Sequence, residues 1–409
     1  MQQLRAVVLG GGIGGLTAAA ALHRRGWTVT VLERAGALEP VGAGIALAPN
    51  AQRALDVIGA GDEIRAMSAW QDAGGLRLPG GRWLSRTTSD AAARRFGGPV
   101  VVAHRAELVR LLASRLPAGS VRTGAAAVLT DPGDAGRPAR VEVTGGEGQA
   151  GDGTEFEAEL VVGADGLHSA TRRTLFPDHP APRYAGFTSW RLVVPRPAAP
   201  FEPHETWGRG CLWGTVPLHD GRVYAYATAV APPGGRAADD ERAELLRRFG
   251  GWHEPVPAIL AAASPDAVLR NDVYAGTEPL PAHHHGRVAL VGDAAHPMTP
   301  NLGQGGCQAV EDAVVLAGLA GTARTPGELS RALAGYTDAR LGRTTDVVRR
   351  SARVGRLSSW TSAPACALRT AVFAVAGRLG PGLALRSLDG IADWSPPATP
   401  PEPARRPVC

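Results

Sequence analysis

The chain of 409 residues contains no lysine; all 43 of its basic side chains are arginine. Asparagine is scarce as well, while alanine, glycine, proline and arginine are abundant. Against 38 acids this leaves a formal charge of +5. The pattern is a composition bias, not a surface built for a polyanion. There is no dense basic run and no basic stripe interleaved with aromatics, which argues against a nucleic-acid role. Cysteine is sparse. Cys211, Cys307, Cys366 and Cys409 lie far apart and form no CxxC pair, so neither a zinc site nor a disulfide framework is expected. A reducing cytoplasm fits. No run approaches about 18 apolar residues, the length a membrane-spanning helix needs. Met1 leads straight into an apolar strand pattern without a signal-peptide layout, so a cytoplasmic location is expected.

What is present suffices for ordinary cores. Hydrophobic residues make up 44%, and the length suits two or three domains at roughly 100–200 residues each. The 53 glycines and 33 prolines are numerous but stay below the level of unstructured low-complexity sequence.

The opening segment carries the first chemical signal. Leu4–Leu9 reads as a short buried strand, GGGIGG follows, and an Ala/Leu-rich helical pattern runs through Leu22. A second strand, Trp27–Leu32, ends at Glu33. This is the start of a βαβ unit with Gly10-x-Gly12-x-x-Gly15 at its turn. Gly10 permits the tight turn, Gly12 lets backbone approach a pyrophosphate, and Gly15 lets helix and strand pack closely. The phosphates would sit at the helix N-terminus, where free N–H groups and the dipole favour an anion. Glu33 can accept hydrogen bonds from ribose hydroxyls and would repel a 2′-phosphate. NAD and FAD both fit this segment.

Two further turns repeat the theme. Leu160–Arg172 (LVVGADGLHSATR) is a strand ending at Asp165-Gly166, with a helix starting around Ser169. Val288–Leu316 (VALVGDAAHPMTPNLGQGGCQAVEDAVVL) is a strand ending at Gly292-Asp293, then a Gly/Pro-rich loop, then a helix from near Gln304. Gly303, Gly305 and Gly306 leave no side chains at a turn facing something flat and large.

Together these motifs resemble the group A flavoprotein monooxygenases of the para-hydroxybenzoate hydroxylase type. The nearest likeness is to the salicylate hydroxylase, urate hydroxylase and zeaxanthin epoxidase branch, which shares GDAAHxxxPxxGQGGCxAxEDA. It runs from the first strand to about residue 350. The resemblance implies an α/β fold: a Rossmann-like FAD-binding domain of the GR2 type, interrupted by a mixed β-sheet substrate domain and followed by a helical C-terminus. It implies FAD as cofactor, held by Gly10, Gly12, Gly14, Gly15, Glu33 and Arg34 at the adenosine and phosphate end. Arg105 of the HRAEL segment would reach the phosphate region, and the backbone near Ala127 would meet adenine. Asp165 would serve FAD and reductant binding, within a motif that includes Arg172. A helix cap is the competing role for Asp165. Asp293 would bond the ribitol, and the loop of Pro300, Gly303, Gln304, Gly305 and Gly306 would lie against the isoalloxazine.

The implied reaction is hydroxylation of an aromatic or other electron-rich small molecule by NAD(P)H and O2 through a C4a-hydroperoxyflavin. The reductant would visit transiently, since no second Rossmann unit is visible; NADH and NADPH are both open. An epoxidase or a decarboxylating hydroxylase of the same fold is an alternative, as is a geranylgeranyl-reductase-like enzyme that uses no O2. The halogenase WxWxIP motif is absent. The chemistry is flavin-borne. His296 is a weak acid/base candidate, with positioning of its loop the preferred role. The run His283-His284-His285 reads as an exposed loop, because adjacent residues point in different directions and rarely converge on a metal.

The middle segment is expected to bind substrate. Tyr184–Pro195, Cys211–Leu218 and Arg222–Val230 alternate like strands. Their Phe187, Trp190, Arg191, Trp213, Tyr224 and Tyr226 are pocket candidates, and Tyr224 and Tyr226 share one face. Urate hydroxylases carry a substrate-gripping Arg where this chain has Leu212; Arg191 and Arg209 are nearby but do not match that position. A substrate less polar than urate is therefore expected. The expected division is 1–73, 98–180 and 275–355 for FAD, and 74–97 and 181–274 for the β domain. A helical segment, 356–395, and a Pro-rich flexible tail, 396–409, complete it. The stretch 131–153 reads as an excursion containing a hairpin.

Overall fold

The computed structural model describes residues 4–38, 43–69, 73–146, 149–150, 153–378, 380 and 386–397. Most of the expected tail, 398–409, lies outside them. Arg5–Leu9, apolar from Ala6 onward, is buried on both faces because it sits inside a parallel sheet. It pairs with Thr28–Leu32 on one side and Leu160–Gly163 on the other. Val288–Leu290 and Val121–Arg122 extend the parallel sheet, and His284–His285 closes one edge antiparallel. One face packs under the helices Ile13–Arg24, Pro49–Asp56, Arg105–Ala113 and Gly305–Ala320. The other packs on the antiparallel strands Ala126–Asp131, Ala139–Gly146 and Glu155–Ala158, of which Ala139–Gly146 lies within the 131–153 excursion.

A second sheet has seven strands, in the order Leu269–Ala275, Arg183–Pro195, Arg222–Val230, Cys211–Pro217, His204–Trp207, Ala73–Arg77 and Trp83–Thr88. The alternation read from the sequence is there, and cross-strand register assigns the faces. Arg191 pairs with Tyr226, and Val193 with Tyr224. Gly214 and Val216 pair with the same two tyrosines. All six share the inner face. Trp190, Leu192, Trp213, Ala225 and Ala227 form the outer face, packed against the helices Glu241–Phe249 and Val256–Ala262. Four of its strands escaped the sequence reading: Ala73–Arg77, Trp83–Thr88, His204–Trp207 and Leu269–Ala275. His204–Trp207 is only four residues long, and Arg270, Asn271 and Asp272 interrupt the apolar alternation of Leu269–Ala275.

The inner face rests on the strand pair Gly44–Leu47 and Val101–His104. The Tyr224 ring lies so close to Gly44 that a Cβ there would sit 2.4 Å from it. The C-terminal part is helical as expected. Pro326–Ser358 begins with a capping box between Thr325 and Glu328, and Ala363–Arg378 follows. Among the described residues no helix is long and apolar enough to cross a membrane.

Candidate functional site

The first glycine turn has the geometry its spacing requires. Gly10 adopts φ +110°, and a Cβ there would lie 2.4 Å from the Ala164 carbonyl oxygen. A Cβ on Gly15 would lie 2.0 Å from the Gly10 carbonyl oxygen. Both glycines are thus demanded by the protein itself. Gly12 differs: a Cβ there would meet nothing within 4 Å. Its backbone faces open space at the N-cap of Ile13–Arg24, a helix with no side-chain cap and no acid in its first turn. Gly14 packs against Ala309, where a Cβ would sit 3.2 Å from the alanine methyl, so this helix lies on Gly305–Ala320. That second helix also lacks a side-chain cap and a first-turn acid. Unsatisfied N–H groups at both N-termini suit a group that carries negative charge.

Glu33 stands beside the first turn. Its carboxylate accepts from the Gly11 N–H at 2.6 Å and the Ala35 N–H at 2.9 Å, while Arg34 is exposed. Segment 124–125 runs alongside, with the Ala125 N–H donating to the Glu33 carbonyl at 2.8 Å; Ala127 lies in the strand Ala126–Asp131 that follows. Asp165 is fully engaged in its own turn. It accepts from the Ser169 hydroxyl at 2.5 Å and from the Thr171 N–H and hydroxyl, both at 2.9 Å. The helix-capping role therefore accounts for both of its oxygens. Arg172 ties this motif to the next: it donates to the carbonyls of Leu167, Asp293 and Ala294 at 2.6, 3.0 and 3.0 Å.

Asp293 and Pro300 open onto the cleft. Protein on the remaining sides of Asp293 desolvates its carboxyl and pushes it up, against the pull of His296, Arg105, Arg172 and Arg191. The Arg105 guanidinium also opens onto the cleft. Desolvation, then Arg191, lower its affinity for a proton, opposed by Asp293 and Tyr224. Arg191 in turn lies within hydrogen-bonding reach of the Tyr224 hydroxyl. Arg105 and Asp293, 188 positions apart in sequence, thus lie within electrostatic reach of each other and of Arg191, with Tyr224 beside the two arginines. Tyr226 donates to Glu205 at 2.7 Å. Phe187 borders a cavity of about 750 Å3. Leu212 is buried on the inner face, opposite Thr228.

Two expectations need correction. Trp190 and Trp213 do not face the cleft. Strand alternation puts them on the outer face, where Trp190 donates to Glu241 and Trp213 to Thr215 beneath the helices. The Gln304 side chain accepts from Asn50 and Gln308, beneath its loop. His283 is not in an exposed loop. It is 1% exposed and packs against His296 and Tyr336.

A buried network beneath the second helix went unassigned by sequence reasoning. Glu311 and Asp312, both fully buried, are adjacent acids in an otherwise apolar helix, a pattern that demands buried partners. Arg340 donates to Asp312 at 2.7 Å and to Gln308 at 2.8 Å, and it pairs with Glu311. Arg343 bridges both Glu311 oxygens at 2.7 and 2.8 Å. Asp312 also accepts from the Gly292 N–H at 2.9 Å and pairs with His296. The His296 Nε2 is held by this carboxylate, which fits positioning of its loop.

Burial pushes His283 down to about 3 and His204 down to about 4. Both folded-state values lie below the ordinary imidazole value of about 6.5. Each neutral ring therefore contributes fully above pH 6.5, and that contribution fades as pH falls towards the folded value. Between pH 6.5 and 5 the native state is expected to lose about 2 kcal/mol per ring. Urea titrations at the two pH values check this: His283→Leu removes that ring's share of the slope, and an unchanged slope contradicts the assignment to His283.

An uncapped glycine-rich helix between two parallel strands, an acid at the ribose side and a second uncapped helix against the first define a dinucleotide-binding fold of the flavoprotein kind. The family model described as FAD binding domain matches residues 3–351. The chain belongs to that family and is an FAD-dependent monooxygenase. It is 40% identical over 368 residues to an aurachin C monooxygenase/isomerase of Stigmatella aurantiaca, covering 90% of this chain and 92% of that protein. It is 37% identical over 384 residues to a 3-amino-4-hydroxybenzoate 2-monooxygenase of Streptomyces cremeus, covering 89% and 90%. The fold matches the Klebsiella pneumoniae protein HpxO, solved with FAD and uric acid, with TM-score 0.83 and 29% identity over 95% of this chain and 96% of that one.

Proposed function

We propose that the protein uses NAD(P)H and O2 in the cytoplasm to hydroxylate an aromatic or heteroaromatic small molecule less polar than urate. The observation carrying this reading is a sheet face lined by aromatic and aliphatic side chains that carries Arg191 and Tyr224 on its inner side, with Arg105 and Asp293 within electrostatic reach of Arg191. FAD, when bound, supplies the redox chemistry, accepting reducing equivalents and activating O2. The chain's own residues bind and orient it. The open cradle at Gly12 and the uncapped first turn suit the pyrophosphate, Glu33 the adenosine ribose, and Asp293 the ribityl hydroxyls. The main chain of Pro300–Gly306 suits the flat ring system. Arg172 and Asp165 act as positioning residues that join the second and third turns.

The roof excludes water, on which the yield of oxygenated product depends. Val193, Val216 and Leu212 bring no charge to it, and the Tyr226 hydroxyl is already spent on Glu205. The apolar Leu212 supports a ring with fewer polar edges than urate, while Arg191 offers one cationic contact. The two-sheet architecture supports the domain division given above, with 73–88 and 183–275 supplying the roof. Cys211, Cys307 and Cys366 are free thiols, in keeping with a reducing compartment.

The test is a screen of aromatic compounds for accelerated NAD(P)H oxidation by FAD-loaded protein. The expected result is O2 uptake matched by a product that has gained one oxygen atom. Oxygen-independent turnover of a double bond points to a reductase and overturns the proposal. In parallel, Asp293→Ala is expected to purify folded but with little flavin absorbance; undiminished flavin removes Asp293 from the site.

A further inference from the structure

The seven-stranded sheet and the long C-terminal helix enclose the cavity of about 750 Å3 noted beside Phe187. Its lining contains four arginines, Arg183, Arg349, Arg353 and Arg356, and no acidic residue. All four are exposed, and none has an ion-pair partner among the described residues. Other exposed arginines, such as Arg65, Arg137, Arg222 and Arg247, each hold an aspartate; here four stand around one cavity with no carboxylate in its lining. Arg349, Arg353 and Arg356 follow one another at helical spacings of four and three, so they form a single stripe. Unpaired like charges on one helix face are unfavourable unless an anion joins them.

The other walls are mainly apolar and aromatic. Tyr184, Phe187 and Trp360 border the cavity, and Trp360 leaves 37% of its surface open. Thr299 forms part of the inner wall, one residue before the Pro300–Gly306 loop. The cavity thus runs from an arginine rim at the surface to the edge of the flavin loop. Its volume exceeds what a single aromatic ring needs and lies within the range of sites for larger cofactors.

Resting on the monooxygenase reading, we propose that this cavity docks the reductant, a nicotinamide dinucleotide. The Arg183/Arg349/Arg353/Arg356 rim would hold its phosphates, and the aromatic walls would hold its bases. The chain has one glycine-turn dinucleotide unit, and its Glu33 disfavours a 2′-phosphate there. The reductant's phosphates therefore need cations elsewhere. Arginine forks pair with phosphate in a bidentate manner, and aromatic faces accept a stacked base.

The test uses the FAD-loaded full chain and the variants Arg353→Gln/Arg356→Gln and Arg349→Gln/Arg183→Gln. Anaerobic reduction of the flavin is followed while NADH and, separately, NADPH are titrated. Each double variant is expected to weaken half-saturation by about tenfold or more, the scale of a lost charge-assisted contact, and to show a shallower salt dependence than wild type. Flavin content and reduction by dithionite stay unchanged. Unchanged half-saturation for both nucleotides overturns the inference. So does an effect confined to the KM of the aromatic substrate, which would assign the cavity to that substrate. A wild-type flavin that neither nucleotide reduces overturns the monooxygenase reading itself, an outcome separate from a defect in the variants.

Discussion

Replacing Arg340 with methionine is expected to cost the folded protein about 3–5 kcal/mol, the scale for removing one partner from a buried ion pair. Arg340 is 1% exposed, and the two carboxylates it serves are fully buried. Burial alone would raise the Asp312 carboxyl; His296 and Arg340 outweigh it and hold that carboxyl well below the usual range. Without the guanidinium, Asp312 keeps only His296 and the Gly292 N–H, and Glu311 keeps Arg343, Gln308 and Asn50. The penalty is that of leaving charge uncompensated in an apolar interior. It should therefore shrink when the carboxylates go too: Glu311→Gln/Asp312→Asn in the Arg340→Met background is expected to recover part of the loss. Urea titration followed by circular dichroism reads both. A loss below about 1 kcal/mol for Arg340→Met would mean that the network contributes little net stability. The same network has an acid limit. Because the Asp312 value is depressed in the folded state, its contribution is complete above the ordinary carboxylate value of about 4 and is lost as pH falls below it.

Gly12→Asp separates the fold from its ligand. The position has an ordinary extended backbone, with φ −75° and ψ −179°, and a Cβ there touches nothing within 4 Å. Aspartate is moreover among the favoured N-cap residues, worth about 1 kcal/mol over a residue that cannot cap. Protein free of FAD is thus expected to unfold at the same or slightly higher urea concentration. FAD binding is expected to fall at least about a hundredfold, since the new carboxylate occupies the pyrophosphate cradle and repels it. Flavin retention and a fluorescence titration of the unloaded protein measure this. A variant that still purifies yellow would show that the cradle is not where the phosphates bind. Gly15→Ala makes the contrast: its methyl would lie 2.0 Å from the Gly10 carbonyl oxygen, so fold and binding should fail together.

These two variants also divide what could be read from the sequence from what could not. Gly10, Gly15 and the strand–turn–helix order around them were legible in advance, because main-chain sterics admit only glycine where backbone meets backbone. The adjacent acids within VEDAVVL went unread as buried charge. Their partners, Arg340 and Arg343, lie a helix away, and no local rule names them. Period-two alternation separated Tyr224 and Tyr226 from their strand neighbours, yet it could not say whether Trp190 and Trp213 faced ligand or helix. Arg191 matched no expected position for a substrate-gripping arginine. Only its pairing opposite Tyr226 placed it on the inner face beside Arg105 and Asp293.

By itself the sequence determined three glycine–acid turns, the parallel sheet that spaces them and the flavoprotein class, because each depends on constraints acting over a few neighbouring residues. The tertiary structure alone decided which sheet face roofs the cleft, which charges are buried together and where the unpaired arginines gather. Those outcomes depend on register between strands and on contacts between helices far apart in the chain, where the favourable partner is set by proximity in space and desolvation rather than by spacing along the backbone.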